Sequence, residues 1–417
     1  MSTFKDFTEP NRFVGLHAHD GSSVYDGLGY PNEHIDFVLK NGMDAFALTN
    51  HGHMNSAAHA HNYSKKLKNK GVGYRHIYGC ECYFVDSLDE WRDEYDDHRE
   101  AVRLEREAKK KSVLVIDDSD ENEGLVIENE EESKNKRASY PAWKRRYHLV
   151  VLAKNYTGLQ NLFRLVKRSY KEGFYRFPRI DYKMLKEHSE GLIVSTACVG
   201  GRPSGHIFQH FEGRSFDDLT PDLVDDPAVL SQIMRKLENM TDKFVDAVGE
   251  DNFFLELQFN DLVAQNLANR CLIELSKKTG IQLISTADSH YCHPEMWEAR
   301  EMYKLLGRMG SRGDKMPKLP EKADLKCELY PKNAQQMWES FGKSYDKYEF
   351  YKGSEEIVKG AIERSHDIAW DMCEEVWFDG SAKLPDFGTS EKTAFSQLAD
   401  QVKAGMIKES FHQKPEY

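Results

Sequence analysis

The sequence predicts an α/β protein, a β/α barrel followed by a mainly helical region, on three observations. Short apolar, β-prone runs alternate with helical stretches over residues 1–295, metal-ligating residue types recur at the ends of those runs, and strand signals fade after His293-Pro294. The runs are Phe13-Val14-Gly15-Leu16, Ala45 to Thr49, His148 to Leu152, Leu192 to Ser195, Phe253 to Leu257 and Gln282 to Ser285. Each is short, continuously apolar and followed by polar residues, as buried parallel strands are.

Between Asp86 and Arg146 the alternation breaks into a charged insertion. Opposite charges at helical spacing from Arg99 to Lys111 predict a helix, and the carboxylate-rich Asp117 to Ser133 predicts a solvated, mobile stretch. An exposed excursion explains this composition more simply than a docking element does. Beyond a loose boundary near residue 295, helices are predicted at Met296–Leu306, Ala334–Phe341, Ser354–Glu374 and Glu391–Ser410. Gly307–Lys326, rich in Gly, Pro and Lys, reads as a loop between the first two.

At 417 residues the chain suits one large domain plus an appendage. No apolar run is long enough for a membrane span, and Met1 to Arg12 is polar and acid-containing, unlike a leader segment, so a cytoplasmic protein is expected, in the host cytoplasm if the source is viral. Seven scattered cysteines do not resemble a disulfide framework. The net charge of −12 disfavours attraction of nucleic acid to the whole surface, so any such contact is expected to be local.

Two histidines, His17 and His19, alternate just after the first run, so both imidazoles can face one cation. Taken alone, two surface histidines are the commoner explanation. The pattern gains meaning because Asp26 follows in the next loop, His51 closes the second run, Glu81 ends Gly79-Cys80-Glu81, His148 opens another run, Cys198 follows Ser195, and Asp288 and His290 end the last. Strand ends of a β/α barrel converge on one face. His53, His59 and His61 fall in a helical stretch where locally bonded histidines are ordinary, and Cys80 and Cys82 should alternate away from Glu81 into packed layers.

Imidazole, carboxylate and thiolate together suit zinc first and manganese second, rather than magnesium or calcium. Five neutral imidazoles, three carboxylates and one thiolate carry about four negative charges, so up to three dications would leave a site near +2 that attracts phosphate. A metal-bound water would then be the nucleophile, with no protein nucleophile assigned. Cys198 fits a ligand or structural role better than a nucleophilic one.

In order along the chain these segments resemble the PHP (polymerase and histidinol phosphatase) domain, in the version found at the N-terminus of bacterial DNA polymerase III α subunits. The likeness covers Leu16–Gly27, Thr49–Gly52, Gly79–Tyr83, Tyr147–Leu162, Glu172–Asp181, Gly191–Gly201, Asn252–Gln258 and Thr286–Tyr291. Tyr170 to Tyr175 and Pro178 to Asp181 point to the polymerase branch. The resemblance implies a distorted (β/α)7 barrel holding up to three metals, a 3′–5′ exonuclease activity, and ligand roles for His17, His19, Asp26, His51, Glu81, His148, Cys198, Asp288 and His290. Asn50 departs from the family's usual Asp, Arg202 from a common acid, and the Asp86–Arg146 insertion is long.

A weaker likeness to the segment leading into the polymerase palm continues through Glu328-Leu329-Tyr330, Met337, Ala361–Cys373 and Leu384–Phe387, but the Gly-rich loop and paired aspartates of the palm are not found. The leading expectation is a metal-dependent 3′–5′ exonuclease acting on DNA, as a single strand or 3′ end, and forming the N-terminal piece of a split or truncated polymerase. The alternatives are a metal-stabilised scaffold docking a separate palm-bearing chain through residues 296–417, and a small-molecule phosphatase of the histidinol-phosphatase type.

Overall fold

The computed structural model describes residues 4–112, 142–308, 318–378 and 391–413. Its described strands are β1 (Ala45–Leu48), β2 (Arg75–Phe84), β3 (Tyr147–Ala153), β4 (Phe174–Tyr175), β5 (Phe177–Ile180), β6 (Leu192–Ser195), β7 (Phe253–Leu257) and β8 (Leu283–Ser285). β1 pairs with β2, and β6, β7 and β8 pair in sequence, all in parallel register. β3 runs antiparallel to both of its neighbours, β2 and β6.

Residues 13–19 close the ring. On one side the Ala47 and Thr49 amides donate to the Gly15 and Ala18 carbonyls at 2.9 and 2.7 Å; on the other the His19 amide donates to the Ser289 carbonyl at 2.7 Å. The circuit therefore runs 13–19, β1, β2, β3, β6, β7, β8 and back. The short β4–β5 hairpin is added where β5 pairs with the end of β2.

Three expectations need correction. The expected first strand, Phe13–Leu16, makes only isolated bridges. Gly15 meets Phe46 on one side and Ala18 meets Ser289 on the other, so neither side offers a run of consecutive partners. The barrel is not parallel throughout. The last residue of β2, Phe84, pairs with the first of β3, Tyr147, so the two strands meet at one end of the barrel and run antiparallel. Lastly, Glu81 does not end its strand: β2 continues to Phe84 because its second half gains β3 and then β5 as partners.

Helices cover the outside: α1 (Pro31–Lys40), α2 (Ala57–Asn69), α3 (Leu88–Ser112), α4 (Tyr156–Glu172), α5 (Tyr182–Glu187), α6 (Arg202–His210), α7 (Pro227–Val248) and α8 (Val263–Thr279). Their starts follow capping chemistry, as where the Asn155 side chain accepts the Gly158 amide at 2.9 Å before α4. The predicted helix at Arg99–Lys111 is the second half of α3, a helix anchored at its beginning where the Trp91 indole donates to the Trp143 carbonyl at 2.6 Å. The stretch expected to be mobile, Asp117–Ser133, lies outside the described residues.

After the barrel come α9 (Trp297–Arg308), α10 (Ala334–Lys347), α11 (Glu355–Asp367) and α12 (Glu391–Lys408). Met1–Trp377 form one compact unit and Phe378–Tyr417 a second. Within the first, Ile368, Ala369 and Cys373 are buried with Val14, Leu16, Ala45, Ala47 and Ile77 in one apolar cluster. Arg75, at the start of β2, donates to the Ala369, Trp370 and Cys373 carbonyls at 2.7–3.1 Å, so this segment plugs the barrel at the end where the parallel strands begin. The nine candidate ligand residues lie toward the opposite end.

Candidate metal centre

Glu81 is the hub of that opposite end. It is 1% exposed, and its Oε1 lies 3.2 Å from His17 Nε2 and 2.9 Å from His148 Nδ1. Its Oε2 lies 2.7 Å from His51 Nδ1 and 3.3 Å from His19 Nε2. Asp288 Oδ1 stands 3.2 Å from His17 Nε2, and Asp26 Oδ2 bridges His51 Nε2 at 3.0 Å and His290 Nε2 at 3.1 Å. Cys198 Sγ is 3.5 Å from His148 Nδ1. All nine sequence-predicted residues thus join one network of contacts.

The reversal of β3 explains why His148 belongs. Tyr83 faces His148 across the β2–β3 ladder, so a residue that opens an antiparallel strand sits level with residues that close parallel ones. Cys198 is delivered by a tight turn after β6. Its predecessor Ala197 has φ 58°, the Gly200 amide donates to Sγ at 3.3 Å, and a Cβ at Gly201 would lie 2.0 Å from the Thr196 carbonyl oxygen. Asp288 itself has φ 48°, a left-handed conformation that Asp tolerates better than most residues.

The donor chemistry fits cations. His51 Nδ1, Glu81 Oε2 and Asp288 Oδ1 are buried and in ion-pair contact, yet none has an aligned hydrogen bond, since their lone pairs converge rather than meet an N–H or O–H. Three overlapping trios, His17/His19/Asp288, His19/His51/His290 and His51/Glu81/His148, each bring their donor atoms within 4.8 Å of one another. Ligands held at about 2.0–2.2 Å from one ion would stand at comparable separations.

Charge pairing shapes the metal-free chain. Burial opposes ionisation of Glu81, but His148, His51 and His17 outweigh it and hold the carboxyl well below its usual range. Burial likewise opposes the charge on Asp26, yet His290 and Arg300 hold it low. His17 is raised well above its ordinary value, Asp288, Glu256 and Glu81 overcoming burial, and His51 is raised with Tyr83, Glu81 and Asp26 opposing the same penalty. The carboxylates therefore contribute stability above about pH 4 that is lost as pH falls toward their depressed values. The two imidazoles contribute below about pH 6.5, and lose it as pH rises through their raised values. A cation must displace those imidazole protons, so its grip tightens with pH. Melting curves recorded with and without zinc are expected to show a larger zinc-induced rise at pH 8 than at pH 6.

Sequence reasoning missed two residues. Glu256, buried on β7, accepts from His17 Nδ1 at 2.7 Å, Ser195 Oγ at 2.6 Å and Thr286 Oγ1 at 2.5 Å, which leaves His17 Nε2 facing the cluster. Its signal was a lone acid within the apolar run Phe253 to Leu257. Outer partners of this kind are worth about 10–100-fold in metal affinity, so Glu256→Gln is expected to weaken zinc binding by that factor in a competition titration. Arg300, on α9, donates to Asp26 Oδ1 at 2.5 Å and to the Asp26 carbonyl at 3.1 Å. A single arginine in an amphipathic helix carried no usable signal.

The departures from the expected pattern also find partners. Asn50 Nδ2 donates to Asp20 Oδ1 at 3.1 Å while its Oδ1 accepts from the Asp20 amide and Ser23 Oγ, a pairing in which an aspartate would place two carboxylates together. Arg202 is paired with Asp86, Nε to Oδ1 at 2.6 Å. Of the histidines set aside, His53 Nε2 contacts the Ser22 carbonyl at 3.0 Å and His61 Nδ1 the Tyr78 hydroxyl at 3.0 Å.

The chain is similar to several known proteins. DNA polymerase III subunit alpha of Aquifex aeolicus is 28% identical over 346 residues, covering 81% of this chain and 23% of the relative. That of Treponema pallidum is 29% identical over 330 residues, covering 79% and 22%. The chain thus spans less than a quarter of the length of these relatives. Among solved structures, a histidinol phosphate phosphatase from Lactococcus lactis subsp. lactis, in complex with zinc, L-histidinol and phosphate, aligns over 67% of this chain and 87% of its own at 12% identity and a TM-score of 0.31. The PHP domain model matches residues 15–260, more than half of the chain and nearly the whole ring of strands, and the protein belongs to the PHP domain family.

Proposed function

We propose that the chain is a metal-dependent phosphoesterase that removes nucleotides from the 3′ end of DNA. The observation that carries this reading is the convergence of nine donor side chains at one end of the barrel, with Glu81 as the hub on which four imidazoles meet. Zinc, up to three ions, or manganese would be held by His17, His19, Asp26, His51, Glu81, His148, Cys198, Asp288 and His290. Such cations supply Lewis acidity and acidify water. Glu256 and Ser23 hold the His17 and His19 rings through their Nδ1 atoms, at 2.7 and 3.0 Å, so that both Nε2 atoms point at the cluster. The Gly200 amide on Cys198 Sγ suits a held thiolate rather than an attacking one. Residues 1–295 supply the catalytic barrel, and the DNA strand and a polymerase palm outside residues 1–417 are its partners in replication.

The choice of a DNA 3′ end over a small monoester draws on the polymerase relatives. Zinc-loaded protein given 5′-labelled single-stranded DNA is expected to leave a ladder shortened one nucleotide at a time. Phosphate release from small monoesters with intact DNA would instead place it among small-molecule phosphatases.

A docking role for the C-terminal residues is favoured by one observation. α12 exposes Phe395, Leu398 and Val402 at helical spacing, with Ile407 beyond. In a purely scaffolding protein, chelation would lower the melting temperature while no substrate was turned over, and a palm-bearing polymerase chain would co-purify.

A further inference from the structure

A second cavity, of about 370 Å³, begins one residue beyond the metal cluster, at Tyr291. That volume is within the range of small-ligand sites. Its aromatic lining comes from Phe259, Tyr291, Trp297 and Tyr330. Trp297 is half-buried and has no ring partner among the described residues, unlike Phe259, which packs against Phe341 with centroids 5.1 Å apart.

The same walls carry lysines in a chain of net charge −12. Three are committed: Lys347 to Asp261 at 2.5 Å, Lys343 to Glu328 at 3.4 Å and Lys326 to Asp217 at 2.7 Å. Those pairs also occupy the cavity's two carboxylates, Asp261 and Glu328. Lys332 is only 4% exposed, yet among the described residues its ammonium has no hydrogen bond or ion pair and sits 5.5 Å from the Tyr330 ring centroid. Burial lowers its pKa to about 8. Lys322 at the cavity wall likewise has no partner among the described residues. Glu328, paired with Lys343, is the carboxylate that acts on Lys332 and does so without a direct contact, so an anion in the cavity would give the Lys332 ammonium the close counter-charge it lacks.

We propose that this cavity binds one nucleotide unit, its heterocycle against the Trp297 ring and its phosphate at Lys332 and Lys322. A free mononucleotide and a nucleotide within a strand share this chemistry, since every base offers a face for stacking and every unit a phosphate. The inference is independent of whether the metal cluster turns over DNA.

Equilibrium dialysis of the full chain against labelled dAMP tests it, with inorganic phosphate and (dT)8 as competitors. Wild type is expected to bind dAMP, with Lys332→Met and Trp297→Leu each weakening binding at least about tenfold, the scale of one stacked base. Lys332→Met is expected to melt close to wild type, because the ammonium it removes makes no direct hydrogen bond or ion pair among the described residues. Should it misfold, Lys322→Gln and Trp297→Leu at the wall give the same readout. Competition by (dT)8 would identify a strand as the source, and its absence a free mononucleotide, either supporting the proposal. It is overturned if dAMP does not bind, if inorganic phosphate binds as tightly as dAMP, or if the variants bind normally. Loss of dAMP binding in a folded His17→Ala/His19→Ala variant would also overturn it, by placing the nucleotide at the metal cluster.

Discussion

Replacing Glu81 by glutamine is expected to reduce nucleotide release by about 1,000-fold or more, a larger factor than the 10–100-fold assigned to outer partners of metal ligands. Four imidazoles, from His17, His19, His51 and His148, contact its two oxygens at 2.7–3.3 Å, more than contact any other acid in the cluster. The amide is almost isosteric but neutral, so it removes the shared anionic ligand while preserving volume. It also turns an N–H toward rings that need an acceptor. In the metal-free chain the change takes one carboxylate from His17, which keeps Glu256 and Asp288, and one from His51, which keeps Asp26, so the loss of stability is expected to stay below the roughly 3–5 kcal/mol of a fully broken buried pair. Initial rates on labelled DNA and melting curves, each measured with and without zinc, separate the two effects: the zinc-dependent rate should collapse even where the fold persists.

Chelation is expected to have the largest effect on stability. A ligand that binds only the folded chain, at 1,000 times its dissociation constant, stabilises by about 4 kcal/mol. For a unit the size of Met1–Trp377 that corresponds to a fall of roughly 5 °C on stripping. Glu81 Oε2, Asp288 Oδ1 and His51 Nδ1, buried atoms in ion-pair contact but without an aligned hydrogen bond, are where that energy would be recovered. Scanning calorimetry before and after dialysis against a chelator measures it, with restoration by zinc as the control. A melting temperature that did not move would mean that the cluster is held together by its own ion pairs and takes no tightly bound ion.

The donor set was legible in the sequence because each residue belongs to a type that is uncommon at the end of an apolar run, and because barrel geometry gathers such ends. Its framework was less so. Nothing local in Tyr147–Ala153 distinguishes a parallel from an antiparallel strand, since direction is decided by which end of the barrel residues 85–146 rejoin. The segment around Gly15 has strand composition but alternates between two neighbours, a feature of closure visible only in three dimensions. Glu256 and Arg300 act through other residues, and their own sequence contexts, an apolar strand and an amphipathic helix, read as packing. The helices before Trp377 read as an appendage because their apolar faces do not announce that Ile368, Ala369 and Cys373 pack beneath the barrel's interior.

The most direct test of the metal centre is release of 3′-terminal nucleotide from labelled single-stranded DNA by wild type and by a His17→Ala/His19→Ala variant, each with its metal content measured. Wild type loaded with zinc or manganese is expected to release nucleotide, and the variant to lose both bound metal and activity while remaining folded. Equal release by the two proteins, or no release by a fully metal-loaded wild type, would contradict the account.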